Sequence, residues 1–165
     1  MGNKHCGRQT VRFASPPVVR GYGSAAGRKE ADGPLGGCFD FTGTDDTFGE
    51  TSWEKAETFL QRQALAFALK RAGRTARELD YLFAGDLLNQ CIATSYAVRG
   101  QPVPFFGLYG ACSTMAEGLS LAAMLLDGGF AEHIAALTSS HFCSAERQYR
   151  NPLEYGGQKP PPPPW

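Results

Sequence analysis

Apolar segments of strand length alternate with helical segments in the second half of this chain. The apolar segments are Tyr81–Gly85, Pro104–Tyr109 and Ile134–Thr138. Between them, Asn89–Val98 and the stretch that begins at Ser113 space their apolar residues as helices do, and glycine follows each. Strands that alternate with helices of this length form βαβ units. The sequence therefore predicts an α/β fold, with a mainly parallel sheet between helical layers.

The first half contains one strong helix. A capping box of Thr51 and Glu54 predicts its start, and Gly73 predicts its end. A second cap signature at Thr75–Glu78 predicts a short turn before the next strand. The helical spacing predicts an inward stripe of Ala56, Leu60, Ala64, Phe67 and Ala68 and a solvent face with Lys55, Glu57, Arg62 and Lys70.

Two further strands and one more inward helical stripe are predicted with less support from periodicity. Val18–Tyr22 and Leu35–Phe39 are short apolar segments bounded by glycine and proline, as strands often are. The loop from Thr42 to Gly49 follows the second of them. In the helix from Ser113, the spacing predicts an inward stripe of Met115, Leu119, Ala122, Ala123 and Leu126.

Composition excludes several function classes. The 165 residues include 16 basic and 16 acidic ones, so no basic surface favours nucleic acid as a partner. The five cysteines are odd in number and form no Cys-x-x-Cys pair, which favours reduced thiols over a disulfide framework. The N-terminus has no apolar core of a signal peptide, and no apolar run is long enough to span a bilayer. Residues 1–15 lack periodicity and are expected to form a loose arm.

Cys112 is the strongest candidate for a reactive side chain. It stands where the Pro104–Tyr109 strand gives way to the helix, after Gly110–Ala111. A helix N-terminus offers unpaired N–H groups and partial positive charge, which favour a thiolate and can hold an anion. A small residue that simply packs in the core is the alternative interpretation of Cys112.

Other polar residues follow the predicted strands at the same edge of the sheet. Asp86 comes after the first strand of the series, and Ser139, Ser140 and His141 come after the last. Ligands bind in such sheets beyond the carboxyl ends of the strands, so these residues and Cys112 are candidates for one pocket. Asp86 could instead cap the next helix. His141 could serve Cys112 as a base or be a hydrogen-bonded structural residue. No standard ligand spacing predicts a metal site or a cofactor.

Long runs of the sequence resemble the stage V sporulation protein AD (SpoVAD) family of spore-forming bacteria. The runs are 104–117, 127–130, 138–148 and 152–158, and the likeness extends from about Val11 to Pro161. The resemblance implies a thiolase-like fold of the thiolase and ketoacyl-synthase superfamily, of which 16–158 would be the N-terminal βαβαβαβ half-domain. It implies binding of dipicolinic acid within the SpoVA machinery that moves this acid into the forespore and releases it at germination. It also implies a peripheral location at the spore inner membrane, beside other SpoVA subunits.

The resemblance also assigns candidate site residues. Cys112 matches the acyl-accepting cysteine of the superfamily, so an acyltransferase that uses Cys112 is the alternative function. The resemblance places the histidine and the asparagine or second histidine of the condensing enzymes in the C-terminal half, beyond this sequence, which makes an enzyme the less favoured expectation. For a dipicolinate binder, the expected ligand-binding residues are Cys112, Ser113, Thr114, Asp86, Ser139, Ser140 and His141.

The C-terminal segment departs from the family. A proline run at 160–164, closed by Trp165, stands where a relative would continue, so we expect 159–165 to be a proline-rich tail of a truncated copy. Half of a two-halved fold would leave an apolar face open to water. Exposed apolar patches promote association, so we expect self-association.

Overall fold

A computed structural model describes residues 4–150, apart from the side chain of Arg150. The strands are β1 (His5–Cys6), β2 (Thr10–Val11), β3 (Ala25–Ala26), β4 (Phe41–Thr42), β5 (Tyr81–Gly85), β6 (Phe105–Gly107) and β7 (Ile134–Thr138). The α-helices are α1 (Arg28–Ala31), α2 (Trp53–Ala72), α3 (Ile92–Val98), α4 (Thr114–Asp127) and α5 (Phe142–Arg150). Single 3₁₀ turns occur at Gly36–Cys38, Ala76–Glu78, Asn89–Cys91 and Ala111–Ser113.

The main sheet is parallel and has β5 at its centre, between β6 and β7. The predicted bounds of β5 and β7 are confirmed, whereas the Pro104–Tyr109 strand is shorter than predicted and contains only Phe105–Gly107. Alternate residues of β5 face opposite layers. Leu82 and Ala84 pack on the side of α2, and Phe83 packs with Leu108 and Ala122 on the side of α4. The predicted α/β architecture with helices on both faces of a parallel sheet is therefore confirmed.

Helix α4 packs on the sheet through a different stripe from the predicted one. Thr114, Gly118 and Ala122 are buried, whereas Met115 is 38% exposed and Leu119 50% exposed. The reason is the size of the side chains. A Cβ at Gly118 would lie 3.2 Å from the Cβ of Ala136 on β7, so small residues allow a close approach that larger ones would block. The predicted inward stripe is therefore confirmed at Ala122 and wrong at Met115 and Leu119.

Helix α2 begins one residue later than predicted. The N-cap is Ser52, whose hydroxyl accepts a hydrogen bond from the backbone N–H of Lys55, so Thr51 is not the cap. The predicted end is confirmed, because Gly73 adopts a left-handed conformation with φ of 63°. The capping box of Thr75 and Glu78 is also confirmed.

The predicted strands Val18–Tyr22 and Leu35–Phe39 are wrong. The first segment is extended against α2 instead of joining the sheet, and a Cβ at Gly21 would lie 2.3 Å from the carbonyl oxygen of Ala68. The second contains the 3₁₀ turn Gly36–Cys38, and the parallel pairing of β3 with β4 lies beside it. Glycine allowed contact between backbones at the position where apolar content indicated a strand.

The remaining predictions have mixed outcomes. The segment Asn89–Val98 is a 3₁₀ turn and then α3, because Gln90 and Cys91 both have positive φ and break the helix. Within residues 1–15, β1 and β2 form an antiparallel hairpin, and Lys4 forms an ion pair with Asp127. The proline-rich tail and the 152–158 run lie outside the described residues.

Candidate functional site

The carboxyl edge of the sheet brings predicted site residues from separate strands together. Gly85 of β5 pairs with Thr138 of β7, so Asp86 and Ser139 each leave the sheet at the same level. The Ser139 backbone N–H donates to the Gly85 carbonyl at 3.3 Å. Residues that are 53 positions apart in the sequence thereby become neighbours at one edge, as the strand order predicts.

Cys112 lies in the 3₁₀ turn between β6 and α4 and is exposed. The residue before it, Ala111, has φ of 48°, which is unusual for a residue with a side chain. Ser113 donates its hydroxyl to the carbonyl of Gly110 at 2.8 Å. Thr114 is buried, and its hydroxyl has no hydrogen-bond partner among residues 4–150. The turn thus presents the thiol to solvent at the start of α4.

Asp86 is buried and its two carboxylate oxygens are fully engaged. One oxygen accepts the Leu88 N–H at 2.8 Å, and the other accepts the Thr94 N–H at 2.7 Å and the Thr94 hydroxyl at 2.5 Å. These contacts hold the segment between β5 and α3, as a capping residue does.

A second buried carboxylate, Glu57, was predicted to face solvent and instead is 0% exposed. The hydroxyl of Ser139 donates to one of its oxygens at 2.6 Å, and the hydroxyl of Ser144 donates to the other at 3.0 Å. Glu57 thus connects α2 to the end of β7 and to α5. The solvent-face prediction was wrong for Glu57, because polar partners from later elements cover this side of α2. It is confirmed for Lys55, Arg62 and Lys70, which are exposed.

Gln61 links the two carboxylates. Its side-chain nitrogen lies 2.7 Å from the Ser139 oxygen and 2.8 Å from the Thr94 oxygen. The Ser139 hydroxyl donates its hydrogen to Glu57, and the Thr94 hydroxyl donates its hydrogen to Asp86. Each hydroxyl can therefore only accept a hydrogen bond from Gln61. This assignment fixes the amide orientation. The oxygen of Gln61 then has no partner among the described residues. We call Glu57, Gln61, Asp86, Thr94, Ser139 and Ser144 the buried polar network.

The electrostatics of this network are unusual because no cationic side chain pairs with either carboxylate within residues 4–150. Burial raises the pKa of Glu57, and the negative charge of Asp86 raises it further, against the hydrogen bonds from Ser139 and Ser144. Because desolvation is the largest cause, Glu57 binds its proton more tightly than a solvated glutamate does.

His141 is buried and bound to a loop. Its Nε2 lies 2.7 Å from the carbonyl oxygen of Asp46, which can only accept, so Nε2 carries the hydrogen. Nδ1 has no hydrogen-bond partner among the described residues. The ring also meets Phe48 edge to face. These contacts anchor the loop between β4 and α2.

Two cavities open at this edge. The first, which we call the Gln61 cavity, has a volume of about 230 Å³ and is lined by residues 23–25, by Gln61 and its α2 neighbours, and by 138–140, including Ser140. The second, the Asp86 cavity, has a volume of about 210 Å³ and is lined by residues 86–90, Tyr109, Ala111 and 148–149. Of the predicted site residues, Ser139 and Ser140 line the first cavity and Asp86 lines the second. The other four, Cys112, Ser113, Thr114 and His141, line neither. Cys112 follows Ala111 directly beside the second.

Sequence reasoning missed Glu57, Gln61 and Thr94. All three lie on helices, where polar residues indicate a solvent face. One available signal was spacing, because Glu57 and Gln61 are four residues apart and share the helix face with Leu60 and Leu65. Among residues 4–150 no cluster of three His, Cys, Asp or Glu side chains is arranged to hold a metal ion.

Two comparisons with known proteins identify the same family. Over residues 7–165 the sequence matches the family described as Stage V sporulation protein AD (SpoVAD). The Stage V sporulation protein AD of Bacillus subtilis (strain 168) is 48% identical over 157 residues, which cover 95% of this chain and 46% of the relative. The chain thus spans about half the length of the curated relative it matches.

A solved ketosynthase structure shares the fold. The priming β-ketosynthase from the R1128 polyketide biosynthetic pathway superposes with a TM-score of 0.52 at 20% identity, over 79% of this chain and 44% of that one. The 3-oxoacyl-(acyl-carrier-protein) synthase III from Aquifex aeolicus VF5 gives a TM-score of 0.45 at 22% identity, over 53% of this chain and 30% of that one. The first likeness supports the thiolase-like fold.

Proposed function

Because the chain belongs to the stage V sporulation protein AD family, we propose that it is a dipicolinic acid-binding component of the SpoVA machinery. In this role it serves dipicolinate uptake into the forespore and release at spore germination. The observation that carries the proposal is the 48% identity to the Bacillus subtilis protein over 95% of this chain.

The Asp86 cavity and the turn before α4 suit such a ligand. Dipicolinate has an aromatic ring and two carboxylates. The ring of Tyr109 is 71% exposed and lines the cavity beside Ala111, so it offers an aromatic face. Backbone N–H groups and the dipole at the start of α4 favour negative charge next to Cys112 and Ser113. Asp86 lines the same cavity, and its oxygens accept hydrogen bonds from Leu88 and Thr94.

Dipicolinate titration by calorimetry tests the proposal, with this chain beside the full-length Bacillus subtilis relative. Isophthalate, which lacks the ring nitrogen, is the matched control ligand. Cys112→Ala should weaken binding, and Cys38→Ala, a change at another exposed cysteine, should not. We expect weaker binding in this chain than in the longer relative, because the chain corresponds to 46% of it. Absence of dipicolinate binding in both proteins would refute the proposal.

We also propose partners for the surface of α4 and β6. Phe106, Met115 and Leu119 are each at least 38% exposed, and such apolar groups favour association. In the family context the partners are other SpoVA subunits at the inner membrane of the spore, and a second copy of this chain in isolation. None of the helices described within residues 4–150 is long and apolar enough to cross a bilayer.

Light scattering tests the self-association. The chain has a mass of 17.8 kDa, and we expect the measured mass to exceed this value. Leu119→Glu should return the protein toward a monomer, whereas Ser120→Glu, at the next exposed position of α4, should not. A monomeric unsubstituted chain at the same concentration would contradict this proposal.

A second candidate function belongs to another class. Exposure of Cys112 in a strand-to-helix turn favours an acyltransferase in which this thiol accepts an acyl group. The sulfur would attack the carbonyl of acyl-CoA, and the thiol of CoA would leave with the proton. Incubation with acetyl-CoA followed by intact-mass measurement tests this function. A thioester absent from Cys112→Ala would support it, and an unmodified chain would exclude it.

A further inference from the structure

The first turn of α5 is fastened to α2 through a buried carboxyl group. Glu57 on α2 is 0% exposed, and Ser144 on α5 is 1% exposed. The Ser144 oxygen lies 3.0 Å from a carboxyl oxygen of Glu57 and 3.0 Å from the carbonyl oxygen of His141. Among the described side chains of α5, only Ser144 and Ala145 are buried. The attachment of α5 to the interior therefore depends on its contact with Glu57.

The far end of α5 forms one wall of the Asp86 cavity, because Gln148 and Tyr149 line it. The side-chain oxygen of Gln148 accepts from the Asn89 N–H at 2.8 Å, and the Tyr149 hydroxyl donates to the Leu87 carbonyl at 2.8 Å. Tyr149 is 62% exposed, so these contacts close the wall at the surface of the protein. Since α5 is one continuous helix of nine residues, a change at its first turn acts on this wall.

The hydrogen bonds around Glu57 can hold a proton on its carboxyl group without a change of partners. The Ser139 hydroxyl donates to one carboxyl oxygen at 2.6 Å. When the other oxygen carries the proton, it donates to the Ser144 oxygen, and the Ser144 hydroxyl donates to the carbonyl of His141. Every hydroxyl hydrogen of this chain then has an acceptor. The closed arrangement therefore suits the neutral form of Glu57.

Ionised Glu57 keeps its hydroxyl donors but is a buried charge without a counter-ion. Burial raises the pKa of Glu57, and the negative charge of Asp86 raises it further. No cation pairs with either carboxylate within residues 4–150, and Arg147 of α5 pairs with Glu54. The ring of His141 is engaged by a loop carbonyl. A buried unpaired charge is unfavourable, so ionisation favours an arrangement that admits water to Glu57.

Of the elements that contact Glu57, α5 is the one attached most weakly. The hydrophobic core clusters around Leu82 and Phe83 include residues of the sheet and its flanking helices but none of α5. Contacts of α5 with charged side chains include those of Phe142 with Lys29, Cys143 with Asp46 and Arg147 with Glu54. Exposed ion pairs and single surface hydrogen bonds contribute little to stability. Water therefore reaches Glu57 most easily by displacement of α5.

From these observations we propose that Glu57 is a proton-dependent latch for α5, and that α5 is a movable wall of the Asp86 cavity. With Glu57 protonated, Gln148 and Tyr149 cover the cavity. Ionisation of Glu57 releases the first turn of α5 and opens the wall. The closed state is complete below the ordinary glutamate value of 4.5 and is lost as the pH rises through the raised pKa of Glu57. The consequence for dipicolinate rests on the proposed function, whereas the latch itself does not.

Nuclear magnetic resonance on the full chain without ligand tests the latch between pH 4 and pH 8. The Asn89 amide proton reports the contact with Gln148, and heteronuclear NOE values of the amide nitrogens of residues 145–149 report the motion of α5. We expect the Asn89 shift to move and the NOE values to fall with one midpoint, equal to that of the Glu57 carboxyl carbon. A motionless α5, or a midpoint different from that of Glu57, would overturn the proposal.

Two substitutions on α2 identify the group that titrates. Glu57→Gln preserves the shape of the side chain and cannot ionise, so α5 should stay closed throughout the pH range. Glu54→Gln removes the surface partner of Arg147 and is the matched control, which should retain the transition. A transition that survives Glu57→Gln would assign it to another group, such as His141, and would refute the latch.

Tyr149→Phe tests the coupling from the other end of α5. The substitution removes the hydrogen bond to Leu87 and weakens the closed state without touching the buried polar network. Because closure and protonation of Glu57 favour each other, the midpoint of Glu57 should move to lower pH. An unchanged midpoint in a folded Tyr149→Phe protein would contradict the coupling between latch and wall.

Dipicolinate gives a readout that separates this inference from the proposed function. The ratio of the dipicolinate affinity of Glu57→Gln to that of the unsubstituted chain should increase with pH, which cancels the titration of the ligand itself. A ratio independent of pH would refute the role of the wall in binding. An α5 transition in a chain that binds no dipicolinate would support the latch and count against the proposed function alone.

Discussion

Replacement of Glu57 by glutamine should stabilise the protein at neutral pH. Glu57 is 0% exposed, and its carboxylate accepts from Ser139 and Ser144 without a cationic partner. A glutamine of the same shape can accept from Ser139 and donate to the Ser144 oxygen. The hydrogen of Ser144 would then go to the carbonyl of His141, which already lies 3.0 Å from the Ser144 oxygen. The substitution therefore removes a buried charge and keeps the hydrogen bonds with Ser139 and Ser144.

The sign of the pH dependence follows from the raised pKa of Glu57, whose largest cause is burial. The folded protein holds this proton more tightly than the unfolded chain. The resulting stabilisation is complete below the unfolded value of 4.5 and is lost as the pH rises through the folded pKa. Each unit by which the folded pKa exceeds the unfolded one corresponds to about 1.4 kcal/mol of lost stability. Glu57→Gln has no such loss.

Urea denaturation followed by far-ultraviolet circular dichroism between pH 4 and pH 8 measures the effect. The free energy of unfolding of Glu57→Gln should exceed that of the unsubstituted chain by an amount that grows with pH. Glu78→Gln is the control with the opposite sign, because hydrogen bonds from Thr75 and Arg74 lower the pKa of Glu78 to about 2. A Glu57→Gln protein that is less stable at pH 7, or a difference independent of pH, would refute the reasoning.

Three further predictions concern reactivity, packing and titration. Cys112 is exposed, whereas Cys91 is 2% exposed and burial raises its pKa. Iodoacetamide should therefore modify Cys112 before Cys91 in peptide mass mapping. Earlier modification of Cys91 would contradict the fold at this edge. Gly85→Ala should lower the free energy of unfolding by about 1–3 kcal/mol in urea, because its Cβ would lie 2.1 Å from the Leu108 carbonyl oxygen; unchanged stability would disprove this contact. The carboxyl of Glu78 should titrate near pH 2 by carbon-13 NMR, and a midpoint near the ordinary glutamate value of 4.5 would show that its hydrogen bonds do not form.

The apolar pattern of the sequence predicted β5, which is mostly buried, and β7, which is mostly half-buried. Tyr81–Gly85 and Ile134–Thr138 are continuous apolar runs bounded by polar residues, and the fold preserves both sets of bounds. The end of α2 at Gly73 was also predictable from the sequence, since glycine is the residue that usually adopts the left-handed conformation at the end of a helix. These features depend on local chemistry, which the sequence contains directly.

Features that depend on long-range contacts could not be predicted from the sequence. The actual face of α4 is set by the close approach of Gly118 to Ala136, so side-chain size outweighs hydropathy. Glu57 is buried because Ser139 and Ser144, more than 80 residues later, supply its hydrogen bonds. No local pattern indicates that a charged residue will find partners at such a distance.

The candidate site also has one feature that the sequence predicts and others that it does not. The order of strands predicted which residues leave the sheet at one edge, and Asp86 and Ser139 do meet there. Strand order does not predict cavities, and Ser140 and Asp86 line different ones. Participation in ligand binding stays a prediction for all seven expected residues, which are Cys112, Ser113, Thr114, Asp86, Ser139, Ser140 and His141.

Hydrogen exchange with and without dipicolinate is the most direct test of the central claim, which is that an anionic aromatic ligand binds beside Cys112 at the start of α4. The account predicts slower exchange in peptides that cover residues 86–91 and 108–118. It predicts unchanged exchange in residues 23–25, and the protection should diminish in Cys112→Ala. Protection confined to other segments, or none at saturating dipicolinate, would contradict the account.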